Sequence, residues 1–336
     1  MRPSPTTLLP GSRPGILRRF GLGVRREPGA VFAYVALTIV LVIWAARTPN
    51  LNPTTLTLVL VPKVPLVMAA TGMAIVLISK GIDLSVGSTV SLAYVIVARW
   101  TPAVGSPWLA ALLALLVTAT IGLTNGLMVG VWKLPALVVT LATGSIAAGI
   151  ALYVCPLPVY GTIPAAFTNV IITMVGPVPL ALVLAFALPA LIWYPVRHSK
   201  AGTALLAVGG DEAAAFVSGL TPWRSRALAY TLSGLFAGLA GVLLSMTTGA
   251  GATGAATTYT LNAIAAAVLG GVALTGGRGS IAGAIGGAFV LTFITSFLTS
   301  WHINPSWSNV VSGGILVLVV GVPYLVNQAR ARRAPA

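Results

Sequence analysis

The sequence predicts an all-α polytopic membrane protein of about ten transmembrane helices, with the N- and C-termini both cytoplasmic. Three observations carry that expectation. Only 7% of the 336 residues are charged and 57% are hydrophobic, with a mean hydropathy of +0.99, whereas soluble domains carry roughly a quarter charged residues. Apolar runs of about 17–25 residues, the length that crosses a bilayer as a helix, recur along the whole chain. With the N-terminus inside, ten spans place 16 of the 19 Lys/Arg on the cytoplasmic side, leaving Arg47 and Arg99 outside and Lys63 within a span. That bias is the one that sets membrane orientation. It also accounts for the +15 net charge, so no nucleic-acid partner is needed to explain it.

Residues 1–29 read as a basic cytoplasmic tail whose arginines meet anionic lipid heads. They do not read as a cleaved signal: the apolar run Val31 to Ala46 exceeds a signal core, and Ala45-Ala46-Arg47 is a poor cleavage context. The transmembrane domain occupies 30–326, with spans at 30–46, 55–79, 84–98, 108–132, 134–154, 178–196, 227–247, 259–275, 280–300 and 309–326. Pro62, Lys63 and Pro65 place a kink or break in the second span. The third is short, so it tilts or extends past its ends. Residues 327–336 form a basic cytoplasmic tail. Cys155 is the single cysteine and has no intrachain disulfide partner.

Between the sixth and seventh spans lies a cytoplasmic loop, 197–226, with a polar island from Gly209 to Gly219. The chain has four carboxylates, Glu27, Asp83, Asp211 and Glu212, and two of them are adjacent here. Asp211 suits the N-cap of a short helix, Glu212 its positive end, Ala214 and Ala215 its body, and Gly219 its termination. Such a helix suits a docking lever for a partner.

Glycines recur every four residues at Gly122, Gly126 and Gly130, at Gly279, Gly283 and Gly287, and at Gly234 and Gly238. That spacing lines one helix face and lets helices approach closely. Two loops share a layout at a constant offset of 192: Val76-Leu77 leads to Gly87-Ser88, and Val268-Leu269 leads to Gly279-Ser280. A possible internal pseudo-repeat follows. Asp83 reads first as the N-cap of the third span.

Enzyme chemistry has little to work with. His198 and His302 fall on opposite sides of the membrane, no metal-ligand cluster or cofactor motif is present, and no phosphate cradle of the form G-x-x-x-x-G-K-[ST] occurs. A carrier driven by protons or sodium needs ionisable groups within its spans. Lys63 and Asp83 are the only candidates, so a membrane component driven from outside fits better.

In combination these residues resemble the permease subunit of bacterial ABC importers for simple sugars, the ribose/galactose group, over roughly 65–322. Gly72-Met73 followed by Gly81-Ile82-Asp83-Leu84-Ser85-Val86-Gly87 is similar to that group's G-M and G-G-I-D-L-S-V-G signature, with Lys80 at the first of the paired glycines. Asn125-Gly126 and Leu134 to Leu141 resemble its fourth and fifth spans. The polar island is similar to its coupling segment, G-x-N-x-x-A-A-x-x-x-G, with Asp211 at the Asn position. Ala263 to Gly271, followed by Gly276-Gly277-Arg278-Gly279-Ser280, matches its most recognisable stretch.

The resemblance implies a non-catalytic transmembrane subunit of the inner membrane that passes a monosaccharide or related polyol by alternating access. Its implied partners are ABC ATPase subunits, a periplasmic or lipoprotein sugar-binding protein, a second permease subunit (identical or paralogous) and the lipid bilayer. ATP hydrolysis falls to the partner subunits, and no cofactor is implied. Asp211, Glu212, Ala214, Ala215 and Gly219 would couple to the ATPase. Asp83, Gly87, Gly270, Gly271, Gly276, Gly277 and Gly279 would form a structural or gating motif. Candidate pathway residues are the polar groups inside spans, Asn125, Thr140, Thr143 and Asn262; each can instead simply hydrogen-bond a neighbouring helix. The resembling group often carries acidic residues where this chain has Thr260 and Asn262. Two alternatives stay open, a branched-chain amino-acid importer permease and a stand-alone secondary carrier.

Overall fold

The structure, a computed structural model, describes residues 28–47 and 52–300 together with 307, 310, 313, 314, 317 and 321. Most of the tail at 1–29, the tenth span apart from isolated positions, and the tail at 327–336 lie outside the described residues. The described chain is an assembly of apolar helices. Six are long and apolar enough to cross a membrane, Gly29–Ala46, Thr57–Ile78, Pro107–Gly130, Ala136–Val154, Leu180–Arg197 and Pro222–Thr248, with shorter apolar helices at Tyr259–Leu269 and Ile281–Ile294.

Helix α1 (Pro28–Arg47) opens the bundle. The second span breaks where its prolines lie: α2 (Pro53–Leu60), capped by Asn52 Oδ1 accepting from Thr55 N at 2.8 Å, passes through one 3₁₀ turn at Val61–Lys63 into α3 (Val64–Ile78). Pro62 and Pro65 have no N–H to continue the α-helical ladder. Every residue of α3 is buried, so this helix forms the centre of the bundle. Helix α4 (Val86–Val104) extends past the expected 98, and Gly105 ends it in the left-handed region at φ 68°. Helices α5 (Pro107–Gly130) and α6 (Ala136–Val154) follow.

From 155 to 179 the chain is irregular, with a short helix α7 (Ala165–Thr168) and small strands that an all-α reading does not foresee. Strand β1 (Val159–Tyr160) pairs antiparallel with the distant β4 (Ala250–Gly251), Val159 opposite Gly251, while β2 (Met174–Val175) and β3 (Val178–Pro179) form a hairpin. Thr162 Oγ1 donates to Ala98 O at 2.8 Å, and Trp108 meets Phe167 edge-on at 4.8 Å. These contacts close one end of the bundle.

Helix α8 (Leu180–Arg197) returns to the other end, where α9 (Lys200–Gly210) and α10 (Glu212–Val217) sit. This end carries Lys80, Lys133, Lys200, Arg224 and Arg226 in its loops and helix starts, and is called the basic end below. Helix α11 (Pro222–Thr248) runs against α3, α4 and α5. The glycine faces explain how closely it lies: a Cβ at Gly122 would stand 2.2 Å from Tyr230 O, and one at Gly234 2.2 Å from Thr118 O. Helix α12 (Tyr259–Leu269) is shorter than the expected span 259–275, because the glycine loop after it takes left-handed backbone at Gly271, Gly276 and Gly277. Helix α13 (Ile281–Ser300) completes the described core.

Candidate functional site

Three loops that the sequence singles out separately meet at the basic end. Gly277 N donates to Ile78 O at 2.8 Å, joining the glycine loop to the end of α3. A Cβ at Gly276 would stand 2.6 Å from Gly209 O and 2.7 Å from Lys80 Cβ, and one at Gly277 2.5 Å from Gly210 Cα. The glycine loop is therefore wedged between residues 78–80 and the end of α9. Lys80 itself has φ 64°, a conformation that suits the glycine usual in the resembling group.

Inside this junction lies a buried polar cluster built on Asp83, which is 2% exposed. Its Oδ1 accepts from Ser85 N at 3.0 Å and from Ser85 Oγ at 2.5 Å, and its Oδ2 accepts from Ser233 Oγ at 2.8 Å. Asn125 Nδ2 donates to Ser85 Oγ at 3.1 Å, while Asn125 Oδ1 is buried without a hydrogen-bond partner. Tyr230 donates to Ile82 O at 3.1 Å, Leu84 N to Thr140 Oγ1 at 3.0 Å, and Gly87 N to Thr260 Oγ1 at 2.9 Å. One seven-residue segment is thus tied to α5, α6, α11 and α12. The expectation that Asp83 N-caps the third span is corrected here. The N-cap of α4 is Ser85, without a side-chain cap bond, because Asp83 closes a turn onto Ser85 N two residues on.

The polar island from Gly209 to Gly219 forms the short helix that its residues predict. Asp211 N-caps α10, with Oδ1 accepting from Ala214 N at 3.0 Å. Ala215 is buried, Ala214 is exposed, and Gly219 leaves the helix at φ 80°. Glu212 pairs with Arg226 at 2.5 Å, fastening α10 to the first turn of α11. Phe216 and Val217 are 67% and 87% exposed. The helix is held at its start and bare at its end.

Of the four candidate pathway residues, only Asn125 and Thr140 reach the same cluster. Asn125 and Thr140 are fully buried and belong to the Asp83 cluster. Thr143 is partly buried and donates to Val139 O at 3.0 Å. Asn262 is partly exposed, with no side-chain hydrogen bond among the described residues. The same residues hold no group of three His, Cys, Asp or Glu able to bind a metal.

Comparison with known proteins shows the family. The family model described as the permease component of the branched-chain amino acid transport system matches residues 55–320. The chain is 32% identical to the ribose import permease protein of Bacillus subtilis (strain 168), over 75% of this chain and 79% of that protein. It is 30% identical to the galactose/methyl galactoside import permease protein of Salmonella typhimurium (strain LT2), over 87% and 93%. The chain belongs to the permease family of ABC sugar importers. The permease is also 32% identical to the autoinducer 2 import system permease protein of Enterobacter sp. (strain 638), over 93% of this chain and 90% of that one. No solved structure matches it significantly.

Several site residues of this permease escape a reading of its sequence. Among them are the parts that Ser85, in the same segment, Tyr230 and Ser233 on α11, and Thr260 on α12 take in the Asp83 cluster. Their signal is faint, since hydroxyls are common in membrane helices. A buried carboxylate nevertheless requires donors, and polar residues one helical turn apart on α11 were the place to seek them. Helix α9, N-capped by Ser199 through Gly202 N at 3.3 Å, also went unforeseen within the loop 197–226.

Proposed function

We propose that this permease is the non-catalytic membrane subunit of an ATP-driven importer that passes a monosaccharide or related polyol across the inner membrane by alternating access. ABC ATPase subunits dock on α10 at a cytoplasmic basic end. A periplasmic or lipoprotein sugar-binding protein delivers solute at the opposite end, and a second permease subunit completes the passage. Asp211, Glu212, Ala214, Ala215 and Gly219 form the docking element. Asp83, Gly87 and the glycines at 270, 271, 276, 277 and 279 form the joint that carries its motion inward.

The carrying observation is that one long helix, α11, holds both parts. Arg226 at its start pairs with Glu212 on α10, and Ser233 two turns on bonds Asp83. A displacement of α10 is thereby transmitted as a movement of α11 and of the loop at 82–87. Chemistry on the solute is unnecessary; partners that bind two conformations unequally supply the drive.

Reconstitution in proteoliposomes with its ATPase and binding protein tests the reading. Uptake of a labelled sugar should require ATP, and Glu212→Lys with Asp211→Lys should abolish it while binding-protein affinity for solute stays unchanged. Uptake without ATP would point to a stand-alone carrier. The description of the family model favours one second reading, import of a branched-chain amino acid. Competition by leucine but not by sugars would select it.

A further inference from the structure

The coupling helix stands between two basic clefts. At its start, Lys80, Lys133 and Arg226 line an open cleft of about 340 Å³ with Glu212. Just past its end, Lys200 and Arg224 line a second of about 270 Å³ with Gly219 and Thr221. Five cations therefore flank a six-residue helix, and Glu212 is their only ion-pair partner among the described residues. The other two described carboxylates are committed elsewhere, Asp83 to its buried cluster and Asp211 to the helix cap. Neither Lys80 nor Lys133 has a side-chain hydrogen bond or ion pair among the described residues.

Lys80 and Lys133 share a second property. They are the only non-glycine described residues with left-handed backbone, at φ 64° and φ 54°. Glycine would adopt that conformation without strain, and strain retained by a side chain collects at working sites. At two turns lining one cleft, the chain accepts strained backbone and keeps an ammonium group.

We infer that this face fits an ATPase subunit whose apolar socket for Phe216 and Val217 is flanked by acidic side chains, one group facing Lys80, Lys133 and Arg226 and another facing Lys200 and Arg224. The inference rests on the proposed function and adds the chemistry of the partner surface. A folded protein suits the face better than a layer of anionic lipid heads. Such a layer would repel Asp211 and Glu212 and give Phe216 and Val217 no socket, whereas a folded surface places acids at the clefts and apolar groups between them. Complementary charge of this kind governs encounter rate and register.

The test uses the full chain in phosphatidylcholine nanodiscs and the purified ATPase subunit encoded with it, with affinity measured from about 50 to about 500 mM salt, a range over which screening becomes strong. The native pair should weaken about tenfold or more across it. Lys80→Gly with Lys133→Gly eases the backbone while removing both charges, so misfolding does not mimic the effect. This variant should bind about tenfold more weakly at low salt and respond less to added salt. Lys200→Gln with Arg224→Gln should do the same at the other cleft. Equal affinity and salt response in all three proteins overturns the inference and leaves the importer reading intact. A difference that appears only when phosphatidylglycerol is added also overturns it, in favour of a lipid site. No binding of the native chain at any salt in either lipid sinks the importer reading itself.

Discussion

The loops at 79–87 and 270–280 share a sequence layout and touch one another, yet they are held by different forces. The first is held by polar side chains: Asp83, Ser85, Asn125, Thr140, Tyr230, Ser233 and Thr260 make a connected set of hydrogen bonds inside the bundle. The second is held by the absence of side chains, its glycines resting on the backbone of Gly283, Gly209 and Gly210. Both junctions are crowded against an added methyl group, Gly87 as well as Gly270, but only the first also depends on buried polar partners. A packed interior makes both efficient, because unpaired buried polar groups are costly and small residues let helices approach closely.

The largest effect should come from Gly270→Ala. The new Cβ would lie 2.2 Å from Gly283 C and 2.3 Å from its O, so helices α12 and α13 must part. Overpacking costs about 1–3 kcal/mol where side chains can shift, and only backbone is available to shift here. Loss of most folded protein in detergent is expected, read by size-exclusion yield and Tm. Gly149→Ala is the matched control: nothing lies within 4 Å of that site, and a gain of roughly 0.5–1 kcal/mol is expected inside a helix.

Next is the polar junction. Asp83→Ala leaves Ser85 N, Ser85 Oγ and Ser233 Oγ without their acceptor, a loss of about 3 kcal/mol. Asp83→Asn keeps one oxygen and should lose about half of that. Thermal unfolding in detergent separates the two. If Asp83→Ala unfolds at the native temperature, the polar junction is not what holds the first loop.

A smaller effect is expected for Asn125→Leu, because the residue already carries one unpartnered oxygen. Losing its bond to Ser85 and removing that orphan nearly offset, for a net of about 1 kcal/mol or less. The smallest effect on stability belongs to Asn262→Leu. If the chain is the sugar importer subunit proposed above, native amounts of assembled complex are expected, with slower uptake or a changed preference among monosaccharides in competition assays. Unchanged kinetics for every sugar would return Asn262 to packing.

Much of this was legible in the residues themselves. The break at Pro62 and Pro65, the glycine faces of α5 and α11, and the Asp211 cap follow from local chemistry that a few neighbouring residues decide. What stayed hidden depends on distant pairing. Nothing near Asp83 in sequence announces Ser233, 150 residues later, or Thr260 beneath Gly87. The apolar run 259–275 hid the early end of α12, since hydropathy does not register the left-handed turns of Gly271, Gly276 and Gly277. Polarity inside a span has the same appearance in sequence whether it faces a pore or a neighbouring helix, so the bonds of Asn125 and Thr140 to the 82–87 segment are not legible there.

The small strand pair at the closed end bears on how the chain is made. Val159 bonds across to Gly251, 92 residues further along. At roughly 5–20 residues per second, a ribosome takes about 5–20 s to supply the second strand after the first has emerged. Through that interval the segment from Cys155 to Pro179 lacks the strand that β1 pairs with. Synthesis of α11 and the strand after it is thus the step that closes this end, and a pause between α8 and α11 would lengthen the time that β1 stays unpaired.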